Sequence, residues 1–191
     1  LVLKNNKGTE DNRVRKLDYS IQITKLFYER FIKNDDVSLF SPNNVPGLYE
    51  AFGLPEFDDM YKKYEKDKSI PRQTIGAQEL FQALLKERAE TGRIYIMNLD
   101  HCNTHSSFKD KIYMSNLCQE ITLPTTPVQH IDDKEGEIAL CILSAINLGL
   151  LTDMNELEEL CDLSVRALDE IIDYQEYPVE AAKISTQARR S

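Results

Sequence analysis

The sequence lacks the patterns that would place a chain in a membrane or in the secretory pathway. No apolar run approaches the roughly 20 residues that a membrane-spanning helix needs. Residues 1–6 contain no apolar region of the length found in signal peptides. The four cysteines are far apart and include no CxxC pair, which is not typical of a disulfide framework. We therefore expect a cytoplasmic protein in a reducing compartment, with no membrane partner.

Basic residues and phosphate-binding loops are also scarce. The 191 residues include 23 Lys and Arg against 32 Asp and Glu, which gives a net charge of −9. Proteins that bind nucleic acid through its phosphates normally carry a basic patch, whereas here basic and acidic residues alternate, as in residues 62–68. Neither GxGxxG nor the P-loop pattern occurs. The sequence predicts no nucleic-acid partner and no self-contained nucleotide-binding domain.

Helix-like and strand-like segments alternate along the chain. Hydrophobic residues make up 41% and charged residues 29%, as in globular domains with a core. Apolar spacing predicts a helix within residues 13–33, a charged surface helix within 55–73, and a helix from about Leu80 that ends at Gly92. Short strands are predicted at residues 1–3 and 93–99. This alternation predicts an α/β fold with largely parallel strands.

Two further segments follow. Residues 138–146 form an almost continuous apolar run, which fits a strand buried on both faces of a parallel sheet, although a buried helix fits it as well. A last helix is predicted from near Asn155 to Pro178, with Glu158 placed as a capping-box partner. Its predicted buried face contains Leu157, Leu160, Cys161, Ser164, Leu168, Ile171 and Ile172.

The residues best suited to chemistry lie in the segment 115–123, which is predicted to be extended. Side chains alternate between the two faces of a strand, so Asn116, Cys118 and Glu120 would share one face. An amide can hold a hydroxyl group, a carboxylate can accept its proton, and the thiol between them is a reactive atom. The same spacing also fits a strand with one polar face, and spacing alone leaves both interpretations open.

A metal site is the competing chemistry. His101, Cys102 and His105 are close in sequence, and two histidines four residues apart on a helix could share a metal. However, Asn103 and Thr104 next to a strand end favour a turn, and a fourth ligand would have to come from elsewhere. The sequence therefore predicts a hydrogen-bonded loop over residues 101–107 and no metal site.

The motif Ser-Asn-Leu-Cys-Gln-Glu at residues 115–120, followed by residues 136–141 and 143–149, resembles the central part of the large subunit of class I ribonucleotide reductase. The other similar stretches are residues 1–6, 39–42, 45–49, 90–95, 100–105 and 173–178. The likeness runs from one end of the chain to the other in the same order. It is therefore far more specific than any single motif.

The resemblance implies a fold and a set of site residues. Residues 1–191 would be a single segment of a ten-stranded α/β barrel, with a central finger loop at about residues 115–124. Cys118 would become a thiyl radical that abstracts the 3′ hydrogen of a ribonucleoside diphosphate, Glu120 would accept the 3′-hydroxyl proton, and Asn116 would orient the hydroxyls. Cys141 would be one of two redox-active cysteines. The residues implied to line the substrate are Asn116, Leu117, Cys118, Gln119 and Glu120.

The resemblance also implies partners. The chain itself would hold no cofactor. The parent enzyme would receive its radical from a metal-containing small subunit, be regulated by nucleotides, use a thioredoxin- or glutaredoxin-type reductant, and form a homodimer of large subunits. The chain ends suggest an internal piece, which we expect to be inactive alone and to self-associate or rearrange through open strand edges. The alternative is a non-catalytic assembly or binding module that retains the reductase scaffold.

Overall fold

The computed structural model describes residues 17–190, so the strand predicted at residues 1–3 lies outside the described residues. The chain divides into two compact units at Thr122 and Leu123. We call residues 17–122 the first unit and residues 123–190 the second unit. No helix in the described part of the chain is both long enough and apolar enough to cross a membrane.

The first unit alternates strands with helices, which confirms the predicted mixed α/β character. A short 3-10 helix at Pro42–Asn44 interrupts the order. The elements are β1 (Tyr19–Ile23), α1 (Lys25–Lys33), β2 (Asp36–Phe40), α2 (Leu48–Ala51), α3 (Phe57–Lys66), β3 (Arg72–Gly76), α4 (Ala77–Thr91), β4 (Ile94–Asn98) and α5 (Leu99–Thr104).

These four strands form two pairs of opposite kind. Strands β1 and β4 are parallel, with Tyr19 opposite Ile94 and Ile23 opposite Asn98. Strands β2 and β3 are antiparallel. The prediction of largely parallel strands is therefore correct for only one of the two pairs. The antiparallel pair was missed because neither of its five-residue strands contains a continuous apolar run.

The parallel pair has one apolar face and one mixed face. On the apolar face, Ile23 and Ile94 are buried with Leu84 of α4, and Ile21 and Ile96 pack against this cluster. Because side chains alternate along a strand, the intervening residues point the other way. The opposite face therefore presents Ser20, Gln22, Tyr95 and Met97.

Several predicted boundaries in the first unit need correction. The helix predicted within residues 13–33 begins only at Lys25, because Tyr19–Ile23 alternates with period two and forms β1. The helix predicted within residues 55–73 is shorter, ending at Lys66. The helix that ends at Gly92 is confirmed, and Gly92 has the left-handed φ of 65° typical of a helix C-terminus. The strand within residues 93–99 is also confirmed.

The loop predicted at residues 101–107 is wrong, because α5 covers Leu99–Thr104. Two side chains that favour turns are satisfied within this helix. The carboxylate of Asp100 accepts a hydrogen bond from the backbone N–H of His101 at 2.9 Å. The hydroxyl of Thr104 donates to the carbonyl of Asp100, four residues earlier, at 2.9 Å.

The second unit contains two helices, α6 (Glu156–Tyr174) and α7 (Glu180–Arg189), and a 3-10 helix at Leu148–Leu150 within the part that the structure describes. Helix α7 packs on the irregular segment 123–147. The hydroxyl of Ser185 donates to the carbonyl of Ile138 at 2.7 Å, and the guanidinium of Arg189 donates to the carboxylate of Glu137 at 2.8 Å. Arg189 also donates to the carbonyl of Pro124, so α7 holds this segment at both residue 124 and residues 137–138.

Residues 138–146 form neither the predicted strand nor a helix. Leu143 is 73% exposed. An extended segment becomes a strand only when a neighbour pairs with its backbone, and within residues 17–190 no strand pairs with this one. Lack of a pairing partner, rather than lack of apolar character, explains the difference.

The start of the last helix is confirmed, although Asn155 makes no side-chain cap. Its predicted buried face is correct only in part. Ile172 is buried, whereas Cys161 and Ile171 are exposed, so the prediction of Cys161 as a core residue is wrong. Both exposed side chains lie within the predicted apolar stripe, and no residue of the second unit buries them.

Candidate active site

Residues 116–121 form a tight turn rather than the predicted extended strand. The backbone N–H of Gln119 donates to the carbonyl of Asn116 at 3.2 Å, and that of Asn116 donates to the carbonyl of Ile121 at 3.3 Å. The carboxamide oxygen of Asn116 accepts from the backbone N–H of Ile121 at 3.0 Å. The argument that strand alternation brings Asn116, Cys118 and Glu120 to one face is therefore wrong. The side chain of Asn116 folds back to close the turn.

The segment that leads into the turn is fixed to the first unit at residues 112 and 113. Ile112 is fully buried against Met97. The carboxamide of Asn103 accepts from the backbone N–H of Ile112 at 2.8 Å and donates to its carbonyl at 3.1 Å. Gln22 donates from Nε2 to the carbonyl of Tyr113 at 2.6 Å. The chain therefore approaches the turn along the mixed face of the parallel strands.

The turn itself also contacts this mixed face. Gln119 donates from its side-chain Nε2 to the hydroxyl of Ser20 on β1. The side chain of Cys118 lies near the phenol of Tyr95 on β4, close enough for its charge to act on that group. Ser20 and Tyr95 are directly opposite each other in the parallel register. Consecutive turn residues therefore lie next to a single cross-strand pair.

The electrostatics of the turn follow from this proximity. The charge of a Cys118 thiolate raises the pKa of the Tyr95 phenol above its usual value, and desolvation acts in the same direction. Asn116, Cys118 and Glu120 are all exposed. Within residues 17–190 the Nδ2 group of Asn116 makes no hydrogen bond, so it remains a donor for a bound molecule. The turn thus presents a thiol, a carboxylate and an amide donor to solvent.

The other three cysteines differ in their surroundings. Cys141 is exposed in the irregular segment of the second unit, and Cys161 is exposed on α6. Cys102 is half-buried, and burial, together with the charge of Asp100, raises the pKa of its thiol. All four cysteines are free thiols. An exposed thiol such as Cys141 is open to thiol–disulfide exchange, whereas Cys102 packs as a small apolar side chain.

His101 on α5 and His105, which directly follows this helix, lie side by side. The rings of His101 and His105 are perpendicular, with centroids 5.5 Å apart. In the part of the chain that the structure describes, no three His, Cys, Asp or Glu side chains are placed to hold a metal ion.

Sequence reasoning missed the residues that support the turn, namely Ser20, Gln22, Tyr95 and Asn103. A signal for three of them was present. Ser20 and Gln22 alternate with apolar residues in β1, and Tyr95 is on the opposite face of β4 from Ile94. Asn103 gave no such signal, because its role depends on how the chain returns after α5.

Comparisons with known proteins place the chain in a family. A family model described as "Ribonucleotide reductase, barrel domain" matches residues 1–191. The ribonucleoside-diphosphate reductase subunit alpha of Haemophilus influenzae is 59% identical over 196 residues, which is 100% of this chain and 26% of that protein. Subunit alpha of ribonucleoside-diphosphate reductase 1 from Escherichia coli is 57% identical over the same shares. The ribonucleoside-diphosphate reductase large subunit of Plasmodium falciparum is 36% identical, covering 100% of this chain and 23% of its own length.

The chain therefore belongs to the ribonucleotide reductase barrel-domain family. It spans about a quarter of the length of the curated relatives that it matches.

Proposed function

We propose that this chain is a central part of the large subunit of a ribonucleoside-diphosphate reductase. This enzyme would reduce ribonucleoside diphosphates to deoxyribonucleoside diphosphates for DNA precursor synthesis. The observation that carries the proposal is the exposed Cys118 thiol on a turn that is fixed to the mixed face of two parallel strands, in a chain 57–59% identical to reductase alpha subunits. Strands β1 and β4 would be neighbours in a ten-stranded barrel, and residues 115–124 would be its finger loop.

Each exposed group of the turn has a chemical role in this proposal. The Cys118 thiyl radical abstracts the 3′ hydrogen of the substrate, because sulfur is the only readily oxidised atom in the turn. Glu120 is an exposed carboxylate that accepts the 3′-hydroxyl proton. Asn116 uses Oδ1 to hold the turn, while its Nδ2 group donates to a substrate hydroxyl. Residues 116–120 line the substrate.

Cys141 supplies reducing equivalents in the proposed reaction. Reduction of the ribose requires two electrons, and two thiols that become a disulfide supply them. Cys141 would be one of the pair, and its exposure fits a thiol that exchanges with a thioredoxin- or glutaredoxin-type reductant. The radical would come from a metal-containing small subunit. The parent would be a nucleotide-regulated, cytoplasmic homodimer of large subunits.

Replacement of the proposed radical residue tests the function. Cys118→Ser in the full-length large subunit, assayed with the small subunit, should abolish formation of deoxycytidine diphosphate from cytidine diphosphate. Binding of cytidine diphosphate, measured by calorimetry, should stay within about threefold of the unchanged protein, because the serine keeps the shape of the turn. Cys161→Ser is the matched control, since Cys161 is an exposed thiol on α6 with no proposed role.

Retained turnover by Cys118→Ser would refute the radical role and favour a non-catalytic assembly module. Loss of turnover in Cys161→Ser as well would show that the assay reports on general damage to the protein rather than on Cys118.

A further inference from the structure

Gln119 is among the residues proposed to line the substrate, but no chemical step is assigned to its side chain. Its φ of 66° lies in the left-handed region, which is unusual for a residue with a side chain. Such a conformation persists only where the surroundings hold it. The backbone N–H of Gln119 is fixed by the carbonyl of Asn116, and its side chain donates to the hydroxyl of Ser20. Both ends of this strained residue are therefore held.

Ser20 is in a position to control where the turn sits. It is exposed on β1, and β1 is fixed in the first unit by its parallel pairing with β4. Its partner in the register is Tyr95, and Cys118 lies near the Tyr95 phenol. Gln119 follows Cys118 directly in the chain. The hydrogen bond to Ser20 thus attaches the turn to β1, beyond the contacts that hold residues 112 and 113, and the preceding residue Cys118 lies near β4.

We propose that Ser20 is a positioning residue for the Cys118 thiol, acting through its hydrogen bond with the side chain of Gln119. The inference rests on the proposed function of Cys118. Without this bond, the turn keeps its internal hydrogen bonds but loses its side-chain attachment to β1. It is then free to rotate about the segments on either side, and the sulfur atom moves relative to the substrate.

We expect loss of the Ser20–Gln119 bond to lower the rate of reaction rather than to weaken substrate binding. A misplacement of a reacting atom by about 1 Å costs on the order of 10²-fold in rate. Ser20 is not among the residues proposed to touch substrate. We therefore expect Ser20→Ala to lower kcat roughly tenfold, with KM changed by less than about twofold.

The experiment uses the full-length large subunit with its small subunit, and cytidine diphosphate as substrate. Ser20→Ala should show the fall in kcat, while Ser20→Thr, which keeps the hydroxyl acceptor, should retain kcat. Gln119→Leu should lower kcat as well. In the double variant Ser20→Ala with Gln119→Leu, the second change should add nothing to the loss already caused by Ser20→Ala, because the two residues share one bond. Gln73→Leu, an exposed glutamine on β3, is the matched control.

A second measurement does not depend on turnover. The rate at which iodoacetamide alkylates Cys118, followed by mass spectrometry of its peptide, reports directly on the surroundings of the thiol. This rate and its pH profile should change in Ser20→Ala and not in Ser20→Thr. The alkylation rate of Cys161 in the same protein serves as the internal control.

The outcomes separate this inference from the function on which it rests. If Ser20→Ala leaves both kcat and the Cys118 alkylation rate unchanged while Cys118→Ser is inactive, Ser20 has no positioning role and the proposed function stands. If Ser20→Thr loses as much activity as Ser20→Ala, the hydroxyl is not what matters, and the inference is also overturned. An active Cys118→Ser variant would overturn the proposed function itself.

Discussion

The two units of the chain use similar apolar content in different ways. The first unit buries Ile23, Leu84 and Ile94 in one cluster, and Leu26, Leu48 and Phe57 among others in a second. In the second unit, Ile172 is the only large aliphatic side chain that is buried among residues 123–190. Leu150 and Val165 there are 78% and 66% exposed.

The difference shows what an apolar segment needs in order to form a strand. Residues 94–98 and residues 138–146 are both rich in β-branched and apolar side chains. The first segment has β1 beside it and forms β4, whereas the second has no strand partner within residues 17–190 and stays irregular. Apolar composition therefore predicts that a segment tends to be buried. Whether it becomes a strand depends on a neighbouring strand that pairs with its backbone.

The largest effect that this comparison predicts is on the core of the first unit. Leu84 is 1% exposed and packs against both parallel strands, so Leu84→Ala should lower the free energy of unfolding by about 3 kcal/mol. Leu163→Ala removes the same atoms from a side chain that is 52% exposed on α6, and the change should be within about 0.5 kcal/mol. Urea denaturation of the 191-residue chain measures both.

Hydrogen exchange shows which of the two units loses stability in each variant. Amide protons of β1 and β4 should lose protection in Leu84→Ala, while those of α6 keep theirs. Equal losses from the two leucine substitutions would contradict the contrast between a packed first unit and a weakly packed second unit.

The sequence predicted those elements whose signals are local. Helix α4 was predicted because its apolar stripe ends at Gly92, and β4 because its residues favour strands whatever their neighbours. Strand β1 was missed because its five alternating residues run directly into the helical spacing that starts at Leu26. The run at residues 138–146 was misread because pairing is a property of distant segments, which the local pattern does not contain.

The candidate site also combines residues that the local sequence indicates with contacts that depend on distant segments. The sequence pointed to Asn116, Cys118 and Glu120, but for a reason that the structure does not support, since the segment is a turn. The contacts that hold the turn join Gln119 to Ser20, which are 99 residues apart. Contacts of this kind depend on the parallel register of β1 and β4, and no local spacing encodes them.

An ion pair in the first unit provides a second comparison between the two units, because its contribution to stability depends on pH. Arg30 and Glu65 make a two-pronged contact, with side chains only 14% and 19% exposed and one N–O distance of 2.6 Å. Burial alone would raise the pKa of Glu65, but the hydrogen bonds and charge of Arg30 outweigh it and lower this pKa below 4.5. The stabilisation is therefore fully present above about pH 4.5 and is lost as the pH falls through the lowered pKa.

Glu65→Gln should lower the free energy of unfolding by about 1–3 kcal/mol at pH 7. As the pH falls below about 4.5, this variant should lose less additional stability than the unchanged chain. Asp162→Asn breaks the exposed pair with Arg166 on α6, where the side chains are 63% and 73% exposed, and should change stability by less than about 0.5 kcal/mol. Urea denaturation at several pH values measures both. The prediction fails if Glu65→Gln follows the acid dependence of the unchanged chain.

The smallest energetic effect, and the sharpest test of the second unit, comes from an exposed valine. Val165→Lys on α6 should change the free energy of unfolding by less than about 0.5 kcal/mol, because the side chain is 66% exposed. Exposed apolar patches promote association, so the same change should shift the 191-residue chain toward monomer in sedimentation velocity. Ala167→Lys, also exposed on α6, adds the same charge without removing a large apolar side chain. If both variants raise the monomer fraction equally, charge repulsion explains the change. In that case the exposed apolar side chains of the second unit do not drive association.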